Sequence, residues 1–409
     1  MMKLHVLPVA AVAVGAAAAL GISLISPVPV ELHSQVTPPL ESRIACQPLS
    51  DGELLASGQG KVVTAQVGGD ASAPREAVRE PAKVLTTVRG IAPTGGVLGA
   101  DGIWAPCQAP ATSGTVLWPD ASKAELRLTN PDATDSSVDL ILTGPDGEIS
   151  AVGARDIALS PGQTRQVAVS VLARGVNGPV AAHWTTSRGR ALAVGVTAGT
   201  VRFAAPSTTP ATTQTLPGLA RGGKPTVLIA NPGERRATAS VAFHAPSSTF
   251  TPTGGEGISI PARSVVAVSL EEGTAGEPGA FTVVSDEPVA ASLHSTTGDV
   301  AAARGGATQD VALTGLVPAG STLQLTNTGA KQAKATVTLG GTTQDVLVES
   351  GTTGTLPVPG EGAVAVSVAA DQPLVGVAVT GKGAAVVPLG TGTVAKAKPL
   401  TAKLDPTLR

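Results

Sequence analysis

The stretch from Gly218 to Lys224 places two glycines and a lysine at the spacing of a phosphate-binding loop. Such a loop needs backbone N–H groups around the phosphates, a Ser or Thr after the lysine to reach magnesium, and a helix behind it. Pro225 follows Lys224 instead, and TVLIAN then reads as a strand. The segment is a turn entering a strand, and no nucleotide is expected. His33, His183, His244 and His294 show no metal-ligand spacing and read as solvated or partly buried strand residues. Asp132, Asp135 and Asp139 lack the alternating order of a calcium loop and read as a solvated turn. No G-x-S-x-G nucleophile motif is present. Catalytic, cofactor-binding and metal-ligating residues are accordingly assigned to none, and no cofactor is expected.

Cys46 and Cys107 are the two cysteines of the chain. In an oxidising compartment an even pair suggests one disulfide, and the chain-entropy model gives about 4 kcal/mol for a loop of about 60 residues. Sugar recognition commonly uses exposed aromatic platforms, and here only Trp104, Trp118 and Trp184 accompany four Phe and no Tyr. Trp104 reads as packing on the disulfide, and Trp118 and Trp184 as core or inter-domain contacts. With 28 basic and 30 acidic side chains there is no electrostatic footprint for nucleic acid.

The elements that position these residues are strands. Val and Thr favour pleated structure, while 49 Gly and 33 Pro punctuate it with turns, so an all-β protein is expected. The exception is the apolar run Val6 to Ile25, behind Lys3 and His5 and ahead of Pro27 and Pro29. A bilayer span takes about 20 apolar residues. The run reads as a signal-anchor, with a cleaved signal peptide as the alternative. Either way the bulk of the chain lies outside the cytoplasm, single-pass on the cell membrane or secreted.

A three-fold repeat organises the remainder. LRLTNPD, LIANPG and LQLTNTG each run an apolar strand into a turn at Asn130, Asn231 and Asn327. Asn there can bond its own backbone and Gly tolerates positive φ. Past each Asn, alternate positions are apolar: Val138, Leu140 and Leu142; Ala239, Val241 and Phe243; Ala335, Val337 and Leu339. Period two means a strand with one face on a core. Ile157, Leu159, Val167 and Val169 recur at one constant offset as Ile258, Ile260, Val268 and Leu270. Val346, Val348, Leu356 and Val358 repeat the spacing after a shorter connection.

Units of roughly 100 residues with short alternating strands predict tandem immunoglobulin-like β-sandwiches. The alternative is a β-propeller-like array. The expected layout is a membrane segment at 1–26, a β-rich disulfide-linked region at 27–110, sandwiches at 111–203, 204–302 and 303–395, and a tail at 396–409. STTPATTQ, residues 207–214, reads as a linker.

The order of an apolar N-terminal segment, Cys46-Gln47-Pro48, IWAPC at residues 103–107 and an L-x-L-x-N-P strand and turn from Leu126 to Pro131 resembles an uncharacterised family of large exported proteins of actinobacteria. Ala105 and Pro106 stand where that pattern leads one to expect an aromatic. The resemblance implies an envelope location and no reaction. The repeats share strand periodicity and turn chemistry but no repeated polar groups. The expected function is a non-catalytic, membrane-anchored scaffold or interaction protein of the cell envelope, with an envelope protein or glycan as partner. Glycan binding or an accessory role in envelope polysaccharide assembly is the alternative, and a hydrolase comes third.

Overall fold

In the computed structural model, residues 41–197, 203–297, 300–307, 309–381 and 385–392 are described. The run Val6 to Ile25, His33 and the tail lie outside them, and no described helix is long and apolar enough to cross a membrane. The described residues are all-β; their helices are single turns such as Val169–Leu172 and Glu271–Thr274.

The first copy contains β7 (Ser113–Trp118), β8 (Ala124–Thr129), β9 (Ser136–Gly144), β10 (Gly147–Ile149), β11 (Ile157–Leu159), β12 (Thr164–Val167), β13 (Val180–Arg188), β14 (Leu192–Thr197) and β15 (Ala204–Pro206). It follows an amino-terminal unit of β1 (Glu41–Cys46), β2 (Glu53–Gln66), β3 (Arg75–Pro81), β4 (Thr86–Ile91), β5 (Thr94–Leu98) and β6 (Trp104–Pro106). The second copy runs through β16 (Ala211–Leu219), β17 (Lys224–Asn231), β18 (Ala237–His244), β19 (Thr249–Phe250), β20 (Ile258–Ile260), β21 (Ser264–Ser269), β22 (Gly279–Thr297) and β23 (Val300–Gly305). The third comprises β24 (Asp310–Pro318), β25 (Thr322–Thr326), β26 (Ala333–Leu339), β27 (Thr342–Val348), β28 (Thr353–Pro357), β29 (Ala363–Val379), β30 (Val386–Pro388) and β31 (Gly390–Thr391).

Each copy is two antiparallel sheets with one strand order. In the first copy these are β7-β13-β9-β10 and β12-β8-β14-β15. The second copy gives β16-β22-β18-β19 and β21-β17-β22-β23, the long β22 serving both sheets. The third gives β24-β29-β26-β27 and β28-β25-β29-β30, with β29 likewise shared. An immunoglobulin domain puts its second and last strands in opposite sheets, whereas here β8 pairs β14. The immunoglobulin-like expectation is corrected in this respect.

The amino-terminal unit is built the same way. β1-β4-β2 forms one sheet and β3-β2-β5-β6 the other, β2 passing from one into the other. Its strand pairings make it a fourth member of the series, although it carries no Asn turn: Gly58, Gln59 and Gly60 occupy the corner. The limits drawn at 203/204 and 302/303 also move. β15 pairs β14 and β23 pairs β22, so the closing strand of the first copy starts at Ala204 and that of the second runs on to Gly305, while the third copy's last strands stay inside the limit expected at 395.

The nine alternate apolar positions are all buried. Other strands are buried on both faces, among them β14, every residue of which is buried. Continuous runs such as ALAVGVT indicate this, because such a strand has no solvent face. The second cover comes from the neighbouring copy. Leu117 and Ala181 of the first copy pack on Leu228, Ala230, Val265 and Ala290 of the second. Ala45 and Leu85 meet Leu192 of the first copy. Between the second and third copies, Gln324 Nε2 donates to the Leu219 carbonyl at 2.9 Å. Leu55 and Trp104 of the amino-terminal unit sit in the third copy's core with Leu316 and Val317. The contacts therefore close head to tail after four members, a heterologous ring.

Candidate functional site

A short strand near the end of each member faces the centre of the ring. β6 touches β15, β15 touches β23, β23 touches β30 and β30 touches β6. Pro106, Pro206 and Pro388 end three of them. Proline donates no N–H, so the ladder stops there and the chain is free to cross to the other sheet. Two residues on, it pairs with the first strand of its own copy. Ala45 N donates to Gln108 O at 2.8 Å and Gln108 N to Ala45 O at 3.0 Å; Thr115 and Thr208 exchange bonds of 2.9 and 2.8 Å. Ala307 N donates to Thr215 O at 2.9 Å, and Thr314 pairs Gly390. This seam joins the sheets of each member on the inner side and makes it nearly barrel-like.

Cys46 and Cys107 are disulfide-bonded with Cα atoms 4.2 Å apart, directly beside the Ala45–Gln108 pair. The bridge staples the seam of the amino-terminal unit. Trp104 does not simply cover it, since its indole lies in the third copy's core.

Within the ring is a cavity of about 480 Å³ to which all four members contribute, with Trp104, Gln108, Ser207, Thr213, Gln309 and Pro388 among its walls. STTPATTQ forms part of it and is no free linker. Thr208 and Gln214 are buried, Thr208 Oγ1 donates to Gln214 Oε1 at 3.2 Å, and Gln214 Nε2 donates to the Val289 carbonyl at 2.5 Å.

The other candidate residues are engaged in holding strands. Asn130, Asn231 and Asn327 are fully buried. Asn130 Nδ2 donates to the carbonyls of Thr134 and Leu159 at 2.8 and 3.0 Å, and Asp132 N donates to its Oδ1 at 3.0 Å. Asn231 bonds Arg235, Ile260 and Gly233 in the same way, and Asn327 bonds Lys331, Val348 and Gly329. Each therefore closes its turn and also ties it to a strand 21 to 29 residues further on.

The histidines are less solvated than the sequence suggests. His183 Nδ1 lies 2.9 Å from Thr115 Oγ1 and Nε2 3.3 Å from Thr143 Oγ1. Burial lowers its pKa to about 4, against a smaller opposing effect of Glu148. His244 contacts the Gly351 carbonyl of the third copy at 2.9 Å and Thr282 Oγ1 at 2.7 Å. Burial lowers its pKa too, more than the bond to Gly351 raises it. His294 stands edge-on to Phe203, ring centroids 5.2 Å apart.

The three aspartates do not converge on a common point. Asp132 pairs with Arg43 of the amino-terminal unit and with Arg190 at 3.0 Å, while Asp139 Oδ1 accepts from Asp156 N at 2.8 Å. Burial works against the Asp132 charge, but Arg190 and Arg43 outweigh it and hold its carboxyl below the ordinary value. Among the described residues no group of three His, Cys, Asp or Glu could hold a metal. Lys224 pairs with Glu271 at 2.6 Å, and Gly218, at φ 90°, lies where a Cβ would meet Val386 at 2.5 Å. That glycine serves close approach of the third copy.

Trp118 Nε1 donates to the Val196 carbonyl at 3.1 Å and Trp184 Nε1 to Ser207 Oγ at 2.9 Å, both rings being buried. Neither is an exposed platform.

A family model described as a family of unknown function (DUF5719) matches residues 62–322. The chain belongs to this family. The match opens within β2 and ends at the start of β25, so it takes in the whole first and second copies and part of the units on either side. No curated protein and no solved structure matches the chain. The cavity was not legible beforehand because its lining residues are scattered from Trp104 to Pro388. The one local signal was the recurring apolar-apolar-proline strand end, seen in Trp104-Ala105-Pro106, Ala204-Ala205-Pro206 and Val386-Val387-Pro388.

Proposed function

We propose that this protein is a non-catalytic, membrane-anchored scaffold or interaction protein of the bacterial cell envelope, working outside the cytoplasm. The observation that carries the reading is the destination of the chemistry-bearing side chains. His183, His244, Asp132 and the buried asparagines hold strand to strand or copy to copy. The disulfide supports an oxidising compartment, where such bonds persist. A ring closed on itself is also a stiff platform, because no copy can swing without uncovering an apolar face.

The test is in-cell crosslinking of the full chain followed by mass spectrometry, using surface lysines such as Lys83, Lys123 and Lys334. Reproducible links to one envelope protein are expected. Links confined to cytoplasmic proteins would refute the proposal.

A further inference from the structure

The cavity combines two kinds of surface. Thr209, Thr213 and Gln309 line it, are exposed, and make no side-chain hydrogen bond among the described residues. Pro217, Val386 and Pro388 supply apolar wall. Trp104, 5% exposed, also lines it, and its indole N–H has no acceptor among the described residues. None of the described lining residues carries a formal charge.

We infer that this cavity is a binding site for a neutral saccharide of roughly disaccharide size, a volume within the usual range of small-ligand sites. A sugar ring has hydroxyl edges and C–H faces. Free hydroxyl and amide groups meet the first, and proline and valine surfaces meet the second. Neutrality of the wall removes any preference for an anion or cation. A peptide adding itself as a strand is disfavoured by the seam, because the backbone groups at Gln108, Thr208 and Ala307 are already paired. The inference rests on the reading of the protein as a binding scaffold and names what the scaffold holds.

The experiment is calorimetric titration of the full chain with cellobiose, maltose, mannobiose and chitobiose, alongside a glucuronate-containing disaccharide and a proline-rich peptide. Saturable binding of at least one neutral disaccharide is expected. The double variant Thr213→Val with Gln309→Ala should weaken it at least tenfold, with the unfolding midpoint unchanged because both side chains are exposed. The inference is overturned if no neutral disaccharide binds, if the double variant binds as well as the parent, or if the charged sugar or the peptide binds more tightly. Crosslinking to an envelope protein with no sugar bound would sink this inference and leave the scaffold reading standing.

Discussion

Gln108 and Ala45 exchange both of their backbone hydrogen bonds, at 2.8 and 3.0 Å, and the residues beside them, Cys107 and Cys46, are joined by the disulfide. The covalent bond and a single pair of sheet residues therefore hold the same seam. The other three members close theirs without sulfur. At the position of Cys107 the first copy has Ser207, which accepts from Trp184, and the third has Leu389, packed against Gly315.

Removing the bridge should then cost stability without changing topology. The cysteines are 61 residues apart, which corresponds to about 4 kcal/mol of loop-closure entropy. Denaturant unfolding of the Cys46→Ala, Cys107→Ala double variant should show a loss of that order. A loss below about 1 kcal/mol would mean that the hydrogen bonds alone hold the seam.

The buried asparagines should behave as three equivalent locks. Asn231→Ala leaves carbonyls such as those of Arg235 and Ile260 without their donor inside the protein, an expected cost of about 2 to 4 kcal/mol. Asn231→Asp keeps the acceptor for Gly233 N but loses the donors, and should be no better tolerated. Equal shifts of the unfolding midpoint for Asn130→Ala and Asn327→Ala would confirm that the turns do the same work.

Acid should loosen the fold at His183, which sits between strands of the first copy, and at His244, where the second copy meets the third. His183 and His244 have pKa values below 6.5 in the folded protein. The unfolded chain then binds more protons, so stability is full above pH 6.5 and falls as pH drops toward about 4, where His183 titrates when folded. For His183 alone the loss reaches about 3 kcal/mol below that point. Unfolding midpoints at pH 7 and pH 4.5 should differ less in a His183→Gln variant; an unchanged difference would count against this origin.

Gly195 allows Trp118 to pack across the sheet. A Cβ there would stand 2.5 Å from Val116 Cγ1 and 2.9 Å from the indole ring. Gly195→Ala should cost about 1 to 3 kcal/mol through overpacking and shift tryptophan emission, whereas alanine at solvent-facing Gly233, beyond the short contact with Asn231 Oδ1, should do far less.

The strand period was legible because it follows from one-sided burial: Val138, Leu140 and Leu142 alternate, and the chain places them inside. The asparagine turns were legible as turns, but not as ties to distant strands, since Leu159 and Ile260 are not neighbours in sequence. The fourth member was missed for a specific reason. β2 crosses from one sheet to the other through Gly58 and Gly60 with no asparagine, leaving nothing to align with the other corners. The ring was missed because a two-sided strand such as β14 reads as merely apolar, and its second partner belongs to another copy.

The closed circuit of four has a genetic consequence. An open string of beads can gain or lose a bead by duplication or deletion and stay soluble at its ends. Here the oily flank of each bead is the lining of the next, from Leu117 against Leu228 around to Leu316 against Leu55. Losing one unit would strand two such flanks, and adding one would leave no angle for it, so the tally of repeats is fixed by geometry as firmly as any single residue.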